Sequence, residues 1–134
     1  MSRILGVDLG ETRVGLAVSD PDGVIALPLE VVERGGAVGR ILELAADLDL
    51  SEVVIGLPVS LSGEEGRSAI RSREFGAEVA AASGLPVHLV DERFTTRIAD
   101  SALKEQGKSA RARRGSIDRA AATVILQSFL DRAR

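Results

Sequence analysis

The 134-residue chain contains no cysteine, tryptophan or tyrosine, and only one histidine, one methionine and three phenylalanines. Each absence excludes chemistry. Without cysteine there is no disulfide, no thiolate nucleophile, no iron–sulfur cluster and no zinc site of the cysteine type. A single histidine rules out multi-histidine zinc or iron centres, and a Ser-His-Asp triad would have to run through His88 alone. So few aromatic rings leave no platform on which single-stranded bases could stack. No apolar stretch approaches the ~20 residues of a membrane span. The short N-terminal apolar run is interrupted by Asp8, unlike a signal peptide. A cytoplasmic protein is the expectation.

Carboxylate and guanidinium are what remain. The chain has 20 Asp and Glu residues, and 15 of its 17 basic residues are Arg. A metal would therefore be bound by oxygen, which favours Mg²⁺ or Mn²⁺. An anionic partner would be held mainly by Arg, whose planar fork suits phosphate. The net charge of −3 gives no whole-molecule attraction to nucleic acid, but it is unevenly spread. Residues 104–119 carry a net +4 and the rest of the chain −7. With 45% hydrophobic and 28% charged residues, the composition is that of one globular domain over residues 1–134.

Periodicity gives the expected elements. Residues 4–9 and 14–18 alternate as two strands, and Ser19-Asp20-Pro21-Asp22-Gly23 is a turn. A third strand covers Val24 to Val32, with Pro28 marking an edge or a bulge. Val38, Ile41, Leu42, Ala45 and Leu48 then fall on one face of a helix. Glu52 to Ile55 reads as a buried parallel strand ending at Gly56-Leu57-Pro58. Ser62-Gly63-Glu64-Glu65 gives a capping-box pattern for a helix running to about Ser83, closed by Gly84. Pro86 to Val90 is a fifth strand, and Thr95 or Thr96 opens a helix to about Glu105. Gly107 to Gly115 reads as a basic loop, and Ser116 as the cap of a last helix. The order βββαβαβαα predicts an α/β fold: a five-stranded mixed sheet, three antiparallel strands followed by parallel ones, flanked by helices.

The candidate chemistry lies at strand ends. Asp8 closes an otherwise apolar strand, either as an acceptor for the Gly10–Thr12 turn or as a metal ligand that repays its burial. Asp91-Glu92-Arg93 follows the fifth strand, where α/β sheets place ligand sites. Because consecutive strand residues point to opposite faces, only one of the two acids readily faces Asp8. Asp118 reads as a first-turn acid of the last helix, explained by the helix dipole or by convergence with the other acids. Three acids converging on one sheet edge could hold the hard divalent ions of phosphodiester chemistry. Arg111, Arg113 and Arg114, in the basic stretch before Asp118, are either a solvated loop or a contact to a phosphate backbone. His88 reads as structural or exposed. Gly6, Gly10 and Gly15 form no dinucleotide fingerprint, and there is no Walker A motif.

Taken in order, Gly6-Val7-Asp8-Leu9-Gly10, Arg13-Val14-Gly15-Leu16-Ala17, Gly56-Leu57-Pro58, Asp91-Glu92-Arg93-Phe94-Thr95-Thr96 and Asp118-Arg119-Ala120-Ala121 resemble the motifs of the YqgF family. Its members are pre-16S rRNA nuclease or Holliday junction resolvase-like proteins, and the resemblance spans essentially the whole chain. It implies an RNase H-like fold and a Mg²⁺-dependent endonuclease, a hydrolase of ribosome biogenesis that processes the 5′ end of pre-16S rRNA. By motif position Asp8, Glu92 and Asp118 are the implied catalytic and metal-binding acids. Asp91 and Thr95 are implied supports of those acids, and Arg13 and Arg93 are implied contacts to phosphate or to the acids. The implied partner is structured RNA, or branched DNA, bound by a monomer or homodimer. Two positions depart from the pattern: Thr12 stands where many members have Lys, and Ala121 where related resolvases have a further acid. The same residues leave a four-way DNA junction resolvase and a non-catalytic nucleic-acid-binding module as alternatives. Asp8-Leu9-Gly10 with Thr12 also resembles the first phosphate loop of sugar-kinase and actin-like ATPases, which close two such domains on ATP.

Overall fold

The computed structural model describes residues 2–60, 62–92 and 110–132, the last segment with side chains from 120 onward. Alternation in the first third of the chain produces β1 (Arg3–Leu9), β2 (Arg13–Ser19) and β3 (Ala26–Glu33). They pair antiparallel, β1 with β2 and β2 with β3. The β2–β3 turn closes on Asp20, whose Oδ1 accepts the N–H groups of Val24 and Ile25 at 2.7 and 2.9 Å. A one-turn 3₁₀ segment (Arg34–Gly36) leads into α1 (Ala37–Asp47). Then follow β4 (Leu50–Leu57), α2 (Arg67–Ser83), β5 (Val87–Asp91) and α3 (Ala110–Arg132).

The sheet order is β3-β2-β1-β4-β5, with β4 parallel to both β1 and β5. This is the mixed sheet expected from the element order. Pro28 sits on the edge strand beside a register shift, where a missing N–H costs no ladder bond. Val54 and its neighbours show why β4 reads as an unbroken apolar run: Val53 and Ile55 face α1 and α2, while Val54 faces α3. On one side Leu5, Val7, Leu16, Ile41, Phe75 and Val79 form the larger core. On the other, Val54 and Val90 pack beneath Ala122, Ile125, Leu126 and Leu130 of α3. Gln127 of α3 ties that helix to the edge hairpin. Its Oε1 accepts the Ala26 N–H at 2.8 Å and its Nε2 donates to the Val24 carbonyl at 2.9 Å. No helix among the described residues is long and apolar enough to cross a membrane.

Three local expectations need correction. In α1 the buried residues are Ala37, Ile41 and Leu44, while Leu42 is exposed. At about 100° per residue, Leu42 lies just outside the arc that these residues share with Val38, Ala45 and Leu48. Ser62 does not cap α2. The helix begins after Gly66 with no side-chain cap, and it is Ser60 whose Oγ accepts the Glu64 N–H at 3.1 Å, closing a separate turn. The last helix starts at Ala110, not at Ser116, so the basic loop expected over Gly107–Gly115 is helical from Ala110 onward. Ala110-Arg111-Ala112-Arg113-Arg114 are strong helix formers and carry the helix through Gly115 at a cost of about 1 kcal/mol. Asp118 is therefore two turns inside α3, and the dipole argument for a first-turn acid does not apply. The helix expected from Thr95 or Thr96 lies outside the described residues.

Candidate active site

Three parallel strands end at one edge of the sheet, and their register brings their last residues side by side. Val7 of β1 is level with Ile55 of β4, and Gly56 and Leu57 of β4 are level with Val90 and Asp91 of β5. Glu92 extends this ladder by one rung, its N–H donating to the Leu57 carbonyl at 3.2 Å. Alternation then decides which side chains share a face. Val54 and Val90 pack against α3. Two residues further along each strand, Gly56 and Glu92 lie on that same side, as does Asp8, two residues after Gly6. Leu89 packs on the α1 and α2 side, and alternation assigns Asp91 to that side as well.

Two glycines make room for this arrangement. A side chain at Gly6 would place its Cβ 2.7 Å from Leu126 Cβ, so glycine lets α3 lie directly on β1. A Cβ at Gly56 would collide with Glu92 Oε2 and sit 2.5 Å from Ile125 Cδ1. Gly56 is thus the floor over which the Glu92 carboxyl extends. It lies outside the residues expected for the site. The signal available for it is a lone glycine after Val53-Val54-Ile55, which marks a close approach in a strand.

The electrostatics follow from the packing. Burial pushes the Glu92 carboxyl up from the usual 4.5 to about 8, with further contributions from the charges of Asp8 and Asp91. Like charges are held together here at a partly dry edge, an arrangement common at functional sites. Arg13 opens β2 two residues before Gly15, the partner of Asp8, and alternation puts it on the same face as Asp8. Asp118 lies in α3 one turn before Ala122 and two turns before Ile125. Its side chain is outside the described residues, as are those of Arg111, Arg113 and Arg114. Arg93 and Thr95 also lie outside the described residues. Among the described residues, no three His, Asp or Glu side chains form a group able to hold a metal ion. Asp8 and Glu92 supply two carboxylates at the strand ends. His88 takes no part: its Nε2 is 2.8 Å from Glu52 Oε1 and its ring lies 5.0 Å from Phe129.

A family model described as RuvX, Holliday junction resolvase, matches residues 2–132. The chain belongs to the RuvX family. Relatives in this family are provisionally named pre-16S rRNA nucleases. The one from Nocardioides sp. is 47% identical, covering 97% of this chain and 88% of that protein. The relative from Anaeromyxobacter sp. is 46% identical and covers 96% of both chains. Among solved structures, Thermus thermophilus RuvC in complex with a Holliday junction substrate superposes with a TM-score of 0.61 at 19% identity, covering 99% of this chain and 96% of that one. A further structure of Thermus thermophilus RuvC gives 0.57 at 18%, covering 98% and 96%. Identities this low speak to the fold, which in this RuvX protein is the RNase H-like fold.

Proposed function

We propose that this RuvX protein is an endonuclease that cuts phosphodiester bonds in structured RNA, processing the 5′ end of precursor 16S rRNA in the cytoplasm. The observation that carries the proposal is the Glu92 carboxyl held over Gly56 within electrostatic range of Asp8, at the ends of three parallel strands. The names of its relatives support the substrate. Asp118 is proposed as the third acid and Mg²⁺ as the ion, with Mn²⁺ as a substitute. The donor set fits: carboxylate oxygens are hard ligands, and an ion would offset the burial and the neighbouring charges of Asp8 and Asp91 that raise the Glu92 pKa. When bound, a divalent ion supplies Lewis acidity to the scissile phosphodiester.

The chain's own residues then have distinct tasks. Asp8, fixed in the central strand, and Glu92, held over Gly56, would hold the ion at the strand ends. The α3 helix covers the apolar side of the edge and limits water there. Arg13, and by proposal Arg93, Arg111, Arg113 and Arg114, would position the nucleic-acid backbone, with Asp91 and Thr95 supporting the acids. The deciding experiment assays wild type, Asp8→Asn and Glu92→Gln, with and without Mg²⁺, on precursor rRNA and four-way DNA junctions in parallel. Expected are Mg²⁺-dependent cleavage of the RNA by the wild type, and at least a hundredfold loss in both folded variants, roughly the weight of one electrostatic catalytic group. Undiminished cleavage by folded Asp8→Asn would overturn the site. A second reading, resolution of four-way DNA junctions, is favoured by the description of the RuvX family. It requires a two-fold dimer, one site for each cut strand, and cleavage of the junction alone in this assay would establish it. Binding without cleavage of either substrate would mark a non-catalytic module.

A further inference from the structure

Two arginines unrelated to the family motifs meet on the other side of the same sheet edge. Arg34, in the 3₁₀ segment, is fixed at the turn that follows β1. Its N–H donates to the Thr12 carbonyl at 2.9 Å and its Nη1 to the Gly10 carbonyl at a long 3.3 Å. Arg71 comes from the second turn of α2. Both line two adjoining clefts of about 20 and 370 Å³. The smaller is completed by Leu9, Gly10, Glu11 and Ser68, so two guanidinium groups face one carboxylate there. Glu74 and Glu78 balance the pair in the larger cleft.

Nearby arginines behave differently. Arg40 is paired with Glu30 at 2.8 Å and Arg73 with Glu65 at 2.6 Å. Among the described residues neither Arg34 nor Arg71 makes an ion pair, although three carboxylates line the same clefts. Most of their ten N–H donors are therefore available to a ligand. Position names that ligand. Gly10 is two residues beyond Asp8, so their Cα atoms lie at most ~7 Å apart, with the carboxylate on the α3 side of the strand and the small cleft on the Leu9 side. A nucleic-acid backbone that crosses the sheet edge at Asp8 toward α2 would pass over this cleft.

We propose that Arg34 and Arg71 clasp a backbone phosphate of the bound nucleic acid, adjacent to the one presented to Asp8 and Glu92. The proposal rests on the nuclease reading of that edge. It adds a second anchor, on the α2 side, that sets the direction in which the strand crosses the site. The guanidinium fork suits the non-bridging oxygens of a phosphodiester, and such contacts position the backbone without reading sequence.

The test measures binding of a fluorescent structured RNA, a hairpin with a single-stranded 5′ flank, in EDTA across salt concentrations. Wild type, Arg34→Ala/Arg71→Ala, Arg71→Gln, Asp8→Asn and the control Arg40→Ala are compared after thermal melts have verified folding. Each lost phosphate contact lowers the steepness of log K against log salt by about 0.7. The double variant is expected to bind on the order of tenfold more weakly with that reduced slope, while Arg40→Ala matches the wild type. Wild-type affinity and slope in the folded double variant would overturn the proposal. If the double variant does not fold, Arg71→Gln decides by the same criterion. Asp8→Asn separates the two ideas: undiminished cleavage by that variant overturns the carboxylate reading, whereas the arginine clasp is judged on binding alone. A wild type that binds no RNA overturns both.

Discussion

Glu92 and its neighbour Asp91 differ by one position and by most of their chemistry. Strand alternation puts the two on opposite sides, and that much is legible in the sequence. That Glu92 is the one on the side of Asp8 is implied there only by the motif resemblance; the structure supplies it through the packing of Gly6, Val54 and Val90. The strength of the coupling is not legible, because it depends on the register of β1, β4 and β5 and on the missing side chain at Gly56. The raised pKa has a consequence for stability. The folded protein keeps the Glu92 proton up to about pH 8, while the unfolded chain releases it near 4.5. Between those values the folded state binds more protons, so unfolding becomes easier as pH rises. Urea unfolding in EDTA should show stability falling from about pH 4.5 to about pH 8, with a flatter profile for Glu92→Gln. An unchanged slope in that variant would show that Glu92 is not the group responsible.

The α3 helix shows how a local boundary signal can mislead. Gly115-Ser116 looks like a loop end followed by a cap, and only the preceding Ala- and Arg-rich residues argue for helix. The structure places both inside α3. Two substitutions distinguish the alternatives. A true N-cap serine costs about 1 kcal/mol on replacement by alanine. Within a helix, Ser116→Ala should stay within about 0.5 kcal/mol of the wild type, and Gly115→Ala should gain about 0.5–1 kcal/mol. Denaturant midpoints of the two variants check both values, and a loss of about 1 kcal/mol in Ser116→Ala would restore the shorter helix. Strands fared better than helix ends because period-two alternation is fixed by the pleat, whereas caps compete with nearby turns, as Ser60 does before α2.

Across the whole molecule, net charge and sheet topology work at different ranges. The overall −3 repels a polyanion at a distance, so under the proposed function attraction would come from the net +4 of residues 104–119 and from arginines at the sheet edge. The topology delivers the acids: placing β1 between β2 and β4 makes the first strand of the chain the centre of the sheet, with Asp8 at its end. Ions that bind the folded state alone stabilise it by mass action. Millimolar Mg²⁺ should therefore raise the melting temperature of the wild type, more at pH 8 than at pH 5 because Glu92 must ionise to bind. The shift should vanish in Asp8→Asn, and equal shifts in the two proteins would place the ion elsewhere. The fold class was readable from element order, because three alternating strands followed by αβ units leave few sheet topologies open. The pairing of Arg34 with Arg71 was not readable, since those residues are 37 positions apart and meet only through packing.

The amide side chain of Gln127 has one more effect. By holding the Ala26 N–H and the Val24 carbonyl, it stands in for a neighbouring strand at the start of β3. Two residues further on, Pro28 offers no donor at all. The start of β3 is thereby blunted against strand addition on that side of the sheet. A second copy that joins this protein on a two-fold substrate would therefore not do so by extending the sheet at the start of β3.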